Sequence, residues 1–446
     1  MKKRAILLIC ALCANIARSS PEAAASAVTD VRSDADWIMS ARLADGAIAN
    51  YVDRQAVWPY LSNFAAMGLA RATEVTKDTK YVKASWTWLA WYRAHMDTRG
   101  FVTDYVVRNG QLVSTGFMDS TDAYAATFLM ALRDTYRADP SLTRLRANRA
   151  AVTAAIKAIE ATQDADGLTW AKPDWHVKYL MDQAEVYAGL LAGAEIAKTL
   201  NDLALRKRAL ADSVRVRDGV ARLWDGTANA YDWAVHGDGA RTGASWSVLY
   251  PDALQQAWAV AFGLVPATRG ALIMSRFVTE QPAWDEPLAL ATFAGGMSQP
   301  VGYWPVAGLA LRRVGSVLAV AGGTSIRTIA SNTGRAWPFT TATAGQLILL
   351  SAIGLPGART LDAQPLTTLV TTTVGTIPTL SKTSSPAPAS ATPGTTPAPT
   401  GTTPSPTPAP LLRVERDVGP VGAEVVIQPD GIGVGATASP LTQPGP

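Results

Sequence analysis

The sequence predicts an all-α fold in which about twelve helices pair into six hairpins and close into a double ring. Three observations carry that expectation. Apolar residues recur at helical spacing through most of residues 31–353, the connections between helices alternate between short and long, and a related turn returns about once per hairpin. The turn is Asp45-Gly46, then Arg99-Gly100, Asp166-Gly167 and Asp225-Gly226, at separations of 54, 67 and 59 residues. At a helix end, Gly can take the left-handed conformation that reverses the chain.

Helices are predicted at 31–43, 59–76, 78–96, 120–138, 142–163, 178–199, 203–222, 252–264, 267–280, 286–297, 304–319 and 341–353. In the third, Tyr81, Ala84, Trp88, Trp91 and Tyr92 share the apolar stripe, and Lys80, Lys83 and Arg93 take the other faces. The sixth is rich in Ala, Leu and Gly almost all round, the pattern of an interior helix. After the second, fourth, sixth and eighth helices the chain turns within two to four residues. After the first, third, fifth, seventh and eleventh it travels more than ten, and only the ninth departs from the rule. The long connections are therefore expected to gather on one rim, where polar-faced outer helices hand over to apolar inner ones. A broad cleft on that rim is the expected ligand site.

The ends of the chain read differently. Lys2, Lys3 and Arg4 precede an apolar run from Ala5 to Ala17 and the small residues Ala23, Ala24, Ala25, Ser26 and Ala27, which predicts a secretory signal peptide over residues 1–27. Cys10 and Cys13 both lie inside it, so the exported chain is expected to have no disulfide and no thiolate metal site. With only His95, His176 and His236 available, a multi-histidine zinc centre is not expected, and no metal or cofactor is predicted. Removing Lys2, Lys3, Arg4, Arg18 and Glu22 lowers the net charge from +4 to +1, which gives no electrostatic reason to expect nucleic acid as a partner. No segment is long enough for membrane embedding. The ring is assigned to residues 28–358, with a Thr/Pro/Ser/Ala-rich linker at 359–410 and a short tail at 411–446, both expected to lack a packed core. All fourteen tryptophans fall between Trp37 and Trp337. The linker and tail could hold the ring near the cell envelope, and a tail without a task is equally compatible.

Three segments carry a family likeness: DADGLTWAKPDWHVKYLMDQAEVYAGL at 164–190, FMDSTDAYAATFLMAL at 117–132 and SVLYPDALQQAWAVAFGL at 247–264. Across about residues 30–356 the chain resembles the six-hairpin glycosidase superfamily, the (α/α)6 toroids of many glycoside hydrolases and some polysaccharide lyases. The resemblance implies a carbohydrate substrate and a cleft where outer helices hand over to inner ones, in agreement with the loop lengths.

Glycosidic hydrolysis ordinarily takes two carboxyl groups, one as proton donor and one as base or nucleophile. Four places qualify. Asp119 and Asp122 open the fourth helix, where Asp119 could be an N-cap and Asp122 a first-turn acid favoured by the helix dipole. Asp182 and Glu185 share a face of the apolar sixth helix; a buried pair raises at least one pKa, and an ion pair with a neighbouring Arg is the structural alternative. Asp174 lies in the loop 172–176 and reads equally as a turn residue. Asp252, after Tyr250-Pro251, reads as a helix-start residue or, with Gln255 and Gln256, as a binder of sugar hydroxyls.

Aromatics complete the reading. Trp58, Phe117, Trp175, Trp246, Trp284 and Trp337 each stand late in a connection, where a ring could stack on a pyranose or simply plug the ring's end. No phosphate loop, GxSxG elbow or HExxH helix is present. The expectation is a secreted glycoside hydrolase with Asp122 and either Asp182 or Glu185 as acid/base pair and with Trp175 and Trp246 lining subsites. A lyase on the same scaffold would use Tyr179, His176 or Tyr250 on an acidic sugar. A non-catalytic carbohydrate-binding ring is the third reading, and it requires the carboxylates to be consumed in caps and ion pairs.

Overall fold

A computed structural model describes residues 21–358, all within the unit Met1–Gln364. The expected leader through residue 20, the linker and the tail lie outside the described residues. Thirteen helices are present among them: α1 (Pro21–Ser40), α2 (Pro59–Thr76), α3 (Thr79–Ala94), α4 (Thr121–Ala138), α5 (Leu142–Ala147), α6 (Arg149–Thr162), α7 (Leu180–Thr199), α8 (Leu203–Ala221), α9 (Asp252–Ala261), α10 (Ala267–Glu280), α11 (Pro305–Arg313), α12 (Leu318–Asn332) and α13 (Thr341–Ser351). The order α2-α4-α7-α9-α11-α13 forms an inner barrel in which each helix packs on the next, and α13 returns to α2. Helices α1, α3, α6, α8, α10 and α12 form the outer ring, each against inner neighbours.

Sequence decides which layer a helix joins. Outer helix α10 buries Gly270, Ile273, Met274 and Phe277, the i, i+3, i+4, i+7 stripe of a one-sided helix. Inner α2 is buried from Leu61 through Val75, so its residues contact both layers. Close approach within the barrel needs small residues. A Cβ on Gly68 would stand 2.5 Å from the Cα of Gly345, and a Cβ on Gly189 would stand 2.5 Å from the Cα of Ala126.

Three predicted helices are revised. The helix expected at 142–163 divides at Asn148 into α5 and α6. Residues 286–297 hold a β-hairpin, β9 (Leu290–Phe293) and β10 (Met297–Pro300), because Gly295 and Gly296 both take positive φ and reverse the chain. The predicted helix 304–319 divides at Gly315, also left-handed, into inner α11 and outer α12, which continues to Asn332. With these changes the exception after the ninth helix disappears, and residues 281–304 form a long connection like the others.

The six long connections meet on one rim, and neighbouring ones are tied in sequence around it. Strand β1 (Ala56–Val57) of the first pairs with β2 (Tyr105–Arg108) of the second, which folds back on β3 (Gln111–Ser114). Thr121 at the end of the second donates its N–H to Ala171 of the third. Strand β4 (Val177–Tyr179) of the third pairs with β7 (Ala234–His236) of the fourth, and β7 with β8 (Arg241–Thr242). The fourth also carries the small pair β5 (Trp224–Asp225) and β6 (Ala230–Tyr231). Tyr250 bridges to Phe293 of the fifth, Tyr303 of the fifth reaches Thr333 of the sixth, and the N–H of Thr341 closes the circle on the carbonyl of Asn50.

The recurring turn also has a packing reason. Gly46, Gly100 and Gly167 take positive φ, and a Cβ on each would collide with Thr87, Ala154 and Arg215 respectively, on the next outer helix. Gly226 takes no positive φ and meets no such helix, so the fourth expected turn is of another kind. No helix among the described residues is long and apolar enough to cross a membrane.

Candidate active site

Four carboxyl groups converge where α4 and α7 begin. Asp122 lies in the first turn of α4 and is fully buried; its Oδ1 accepts the N–H of Ala123 at 2.7 Å and its Oδ2 accepts the hydroxyl of Thr169 at 2.6 Å. Thr169 is itself clasped by Gln183 of α7, which bonds both its N–H and its carbonyl. Burial raises the Asp122 carboxyl to about 7, with those hydrogen bonds opposing.

Asp182 stands in the first turn of α7, 4% exposed, and among the described residues its carboxyl receives no hydrogen bond and forms no ion pair. Burial drives its pKa well above the carboxylate range, and the charges of Asp122, Glu185 and Asp119 add to the rise. One helical turn on, Glu185 is wholly enclosed. Its Oε1 accepts the Tyr60 hydroxyl at 2.7 Å and the Trp258 indole N–H at 2.8 Å, while Oε2 has no partner. Burial raises this carboxyl to about 8.

Asp119 precedes the helix. The residue is exposed, yet enough protein surrounds its carboxyl that desolvation raises its pKa, with the charge of Lys172 opposing. An exposed residue whose carboxyl still loses hydration to the protein around it suits the wall of a concave stretch of the rim. The N-cap of α4 is Ser120 rather than Asp119, and no side chain closes that end, so the capping explanation of Asp119 does not hold. Nor does an ion pair explain Asp182 and Glu185, since no Arg or Lys among the described residues touches either.

A further raised carboxyl, beside these four, was not foreseen. Asp104, at the start of the β2–β3 hairpin, is 6% exposed, accepts the Tyr124 hydroxyl at 2.8 Å and is raised by burial to about 8, with Asp119 adding to the rise. Its neighbours in sequence carry no helix-start or turn signal, so only the fold reveals it.

Aromatic rings wall the cleft. Tyr60 stacks on Tyr124 at 5.8 Å, Tyr250 stacks on Trp304 at 5.5 Å, and Tyr179 lies parallel to Trp233 at 6.2 Å. Burial raises the pKa of Tyr250, and the charges of Asp119, Asp182, Tyr179 and Glu185 add to the rise. Trp175, half-buried, donates its indole N–H to the Tyr179 hydroxyl at 3.3 Å, and the Lys172 ammonium lies 4.9 Å from the Phe117 ring centre and 5.9 Å from that of Trp175. Trp58, half-buried, is the N-cap residue of α2.

Other anticipated residues stand elsewhere. Trp246 is buried, with its indole N–H on the carbonyl of Ala228 and Arg276 over its ring. Trp284 is buried between outer helices, against Gly322 and Phe277, because the helix expected to follow it is a hairpin; Trp304 takes the place before the inner helix. Trp337 is 42% exposed, edge-on to Tyr51. Asp174 is exposed in its loop. Asp252 accepts the N–H of Ser245, and its neighbours are also occupied: Gln255 accepts the N–H of Met181, and Gln256 clasps the backbone of Tyr231 through both N–H and carbonyl. These contacts hold the connections in place. A separate hollow of about 520 Å³ opens on the opposite rim near Thr73, Lys83, Asp139 and Arg144, and none of the raised carboxyls lines it.

The ring of six inner and six outer helices is an (α/α)6 toroid. Solved structures share it. A glycosidase variant in complex with glucose matches at a TM-score of 0.55 and 15% identity, covering 76% of this chain and 100% of its own. The GH63 mannosylglycerate hydrolase from Thermus thermophilus, in complex with Tris and D-glycerate, matches at 0.54 and 13%, covering 72% and 99%. A metal-independent α-mannosidase from Streptococcus pneumoniae, in a non-productive complex with α-1,6-mannobiose, matches at 0.56 and 10%, covering 73% and 93%. No protein-family model and no curated protein matches the sequence.

Proposed function

We propose that this protein is a glycoside hydrolase that cleaves an oligo- or polysaccharide in the rim cleft, with Asp182 as proton donor and Asp119 as its ionised partner. One observation carries the assignment: of the four clustered carboxyls, these two receive no protein hydrogen bond and retain access to the cleft, whereas Asp122 and Glu185 are sealed. That keeps Asp182 from the sequence expectation and replaces its partner Asp122 with the neighbouring Asp119. Carboxyls sharing a poorly solvated cleft cannot all ionise, and their environments push their pKa values apart. Asp182, the more desolvated, keeps a proton to give to the leaving glycosidic oxygen. Asp119, exposed and facing Lys172, is the carboxylate that activates water or attacks the anomeric carbon. Half-buried rings such as Tyr250, Trp304 and Trp175 suit the C–H faces of sugars.

The carbohydrate-bound neighbours of the same fold support this reading, and the leader-like residues 1–27 support action outside the cell. The lyase alternative asks Tyr250 to act as base, but burial, with the charges of Asp119, Asp182 and Glu185 adding, raises its pKa, the wrong direction for that task. A purely binding ring is disfavoured because caps and ion pairs leave Asp119 and Asp182 unoccupied. The test is incubation with neutral and uronic acid oligosaccharides, reading reducing ends and unsaturated products separately. New reducing ends without unsaturated sugar are expected; unsaturated products would establish the lyase, and binding without cleavage across the panel would establish a non-catalytic role.

A further inference from the structure

The proposed pair leaves Glu185 without a task, although it is fully enclosed. Tyr60 from α2 and Trp258 from α9 both donate to Oε1, no cation touches the group, and Oε2 is buried with no hydrogen-bond partner. The charged or titratable groups that face it are Asp182 on its own helix, Asp122 and Asp119 at the start of α4, Tyr60 on α2 and Tyr250 before α9. None is a cation that would hold a carboxylate there. With Oε1 occupied as a double acceptor, the only place for a proton is Oε2, where it would turn an orphaned acceptor into a donor.

We propose that Glu185 works as a neutral carboxylic acid, a positioning residue whose Oε2–H hydrogen-bonds the carboxylate that Asp182 becomes once it has given its proton to the leaving oxygen. Asp182 and Glu185 are three residues apart on one helix face, and the charge of Glu185 acts on Asp182, which places the two groups as neighbours. The atoms balance simply: the proton that leaves Asp182 goes to the glycosidic oxygen, and the Glu185 proton stays where it is. Its hydrogen bond strengthens as charge develops on Asp182, so the interaction favours the transition state over the bound substrate. A buried carboxylic acid kept neutral so that it can donate is an established catalytic device in other folds.

This role rests on the hydrolase reading, so its test has one arm that does not need activity. In infrared difference spectra of wild type minus Glu185→Gln at pH 6, the glutamine variant should lose the carbonyl band of an un-ionised carboxylic acid. Loss of a carboxylate band instead would overturn the proposal even if no substrate were ever found. In the second arm, Glu185→Gln preserves a donor and an acceptor and should keep kcat at pH 6 within about tenfold, while Glu185→Leu should lose about a hundredfold, as when one preorganised donor is removed. Equal inactivity of both variants, with both folded by circular dichroism, or full activity of Glu185→Leu, would overturn it. Absence of hydrolysis by the wild type would contradict only the hydrolase reading, with the infrared arm still deciding the state of Glu185.

Discussion

Tyr60 and Tyr124 lie face to face, centroids 5.8 Å apart and planes within 24°, yet their hydroxyls part, one to Glu185 and the other to Asp104. The stacked rings belong to adjacent inner helices α2 and α4, so two separate acids are held by one aromatic wall. Because each hydroxyl is a donor to a buried carboxyl, losing it leaves an acceptor short of a partner.

Tyr60→Phe is therefore expected to destabilise the protein by about 1–3 kcal/mol, the cost of leaving a buried acceptor underserved. Since the hydrogen bond from Tyr60 lowers the Glu185 pKa, its removal should move that pKa further up. Urea unfolding gives the first quantity, and a carboxyl-carbon NMR titration gives the second. A downward shift would contradict the arrangement.

Stability should fall as pH rises from about 4 to 8. Asp104, Asp122 and Glu185 have folded-state pKa values raised to about 8, 7 and 8, above their ordinary values of 3.8, 3.8 and 4.5. The folded chain thus holds protons that the unfolded chain has released. The contribution of these groups is fully present below the unfolded pKa and disappears as pH passes through the folded one, with a slope of up to about 1.4 kcal/mol per pH unit for each group. Denaturant midpoints measured across that range check the sign, and Asp104→Asn should flatten the curve.

Much of this architecture was legible because it is written in period and punctuation. Interior α7, the stripe of α10 and three left-handed glycines each state their own local structure. Residues 286–297 misled because LALATFAGG offers an apolar run that suits a helix or a strand, and the decision rests on where Gly295 and Gly296 reverse the chain. Asp182 and Glu185 stood out as acids on an apolar helix. Asp104 did not, since its significance comes from Tyr124, twenty residues away, and from the ring that brings β2 beside α4. Gln255 and Gln256 looked free because a backbone clasp leaves no mark on the sequence.

Ring closure depends on small residues. A Cβ on Gly345 would collide with the backbone carbonyl of Phe64 on α2, at the junction of the last and first inner helices. Gly345→Ala is expected to cost about 1–3 kcal/mol, the usual penalty of overpacking, measured as a lowered urea midpoint. A neutral result would mean that α13 and α2 do not close as described.

Closure has an outer counterpart. Asp34 of α1, fully buried, bonds Arg327 of α12 at 2.8 Å and Arg335 at 2.8 Å. Burial nevertheless outweighs both arginines and raises its pKa. Asp34→Ala removes the shared partner of both guanidinium groups, leaving Arg327 with Asp30 and Ser351 and Arg335 with Ser33, and should cost about 1–3 kcal/mol in a chemical denaturation experiment.

Initial rates of reducing-end release from a cleaved oligosaccharide, compared among wild type, Asp119→Asn, Asp182→Asn and Asp252→Asn, test the central claim most directly. The first two variants should fold and lose about 10²–10⁴-fold in kcat. Asp252→Asn, whose carboxyl only holds the Ser245 backbone, should stay within about tenfold of wild type. Undiminished cleavage by both Asp119→Asn and Asp182→Asn would contradict the account, because the two unoccupied acids of the rim would then have no part in the chemistry.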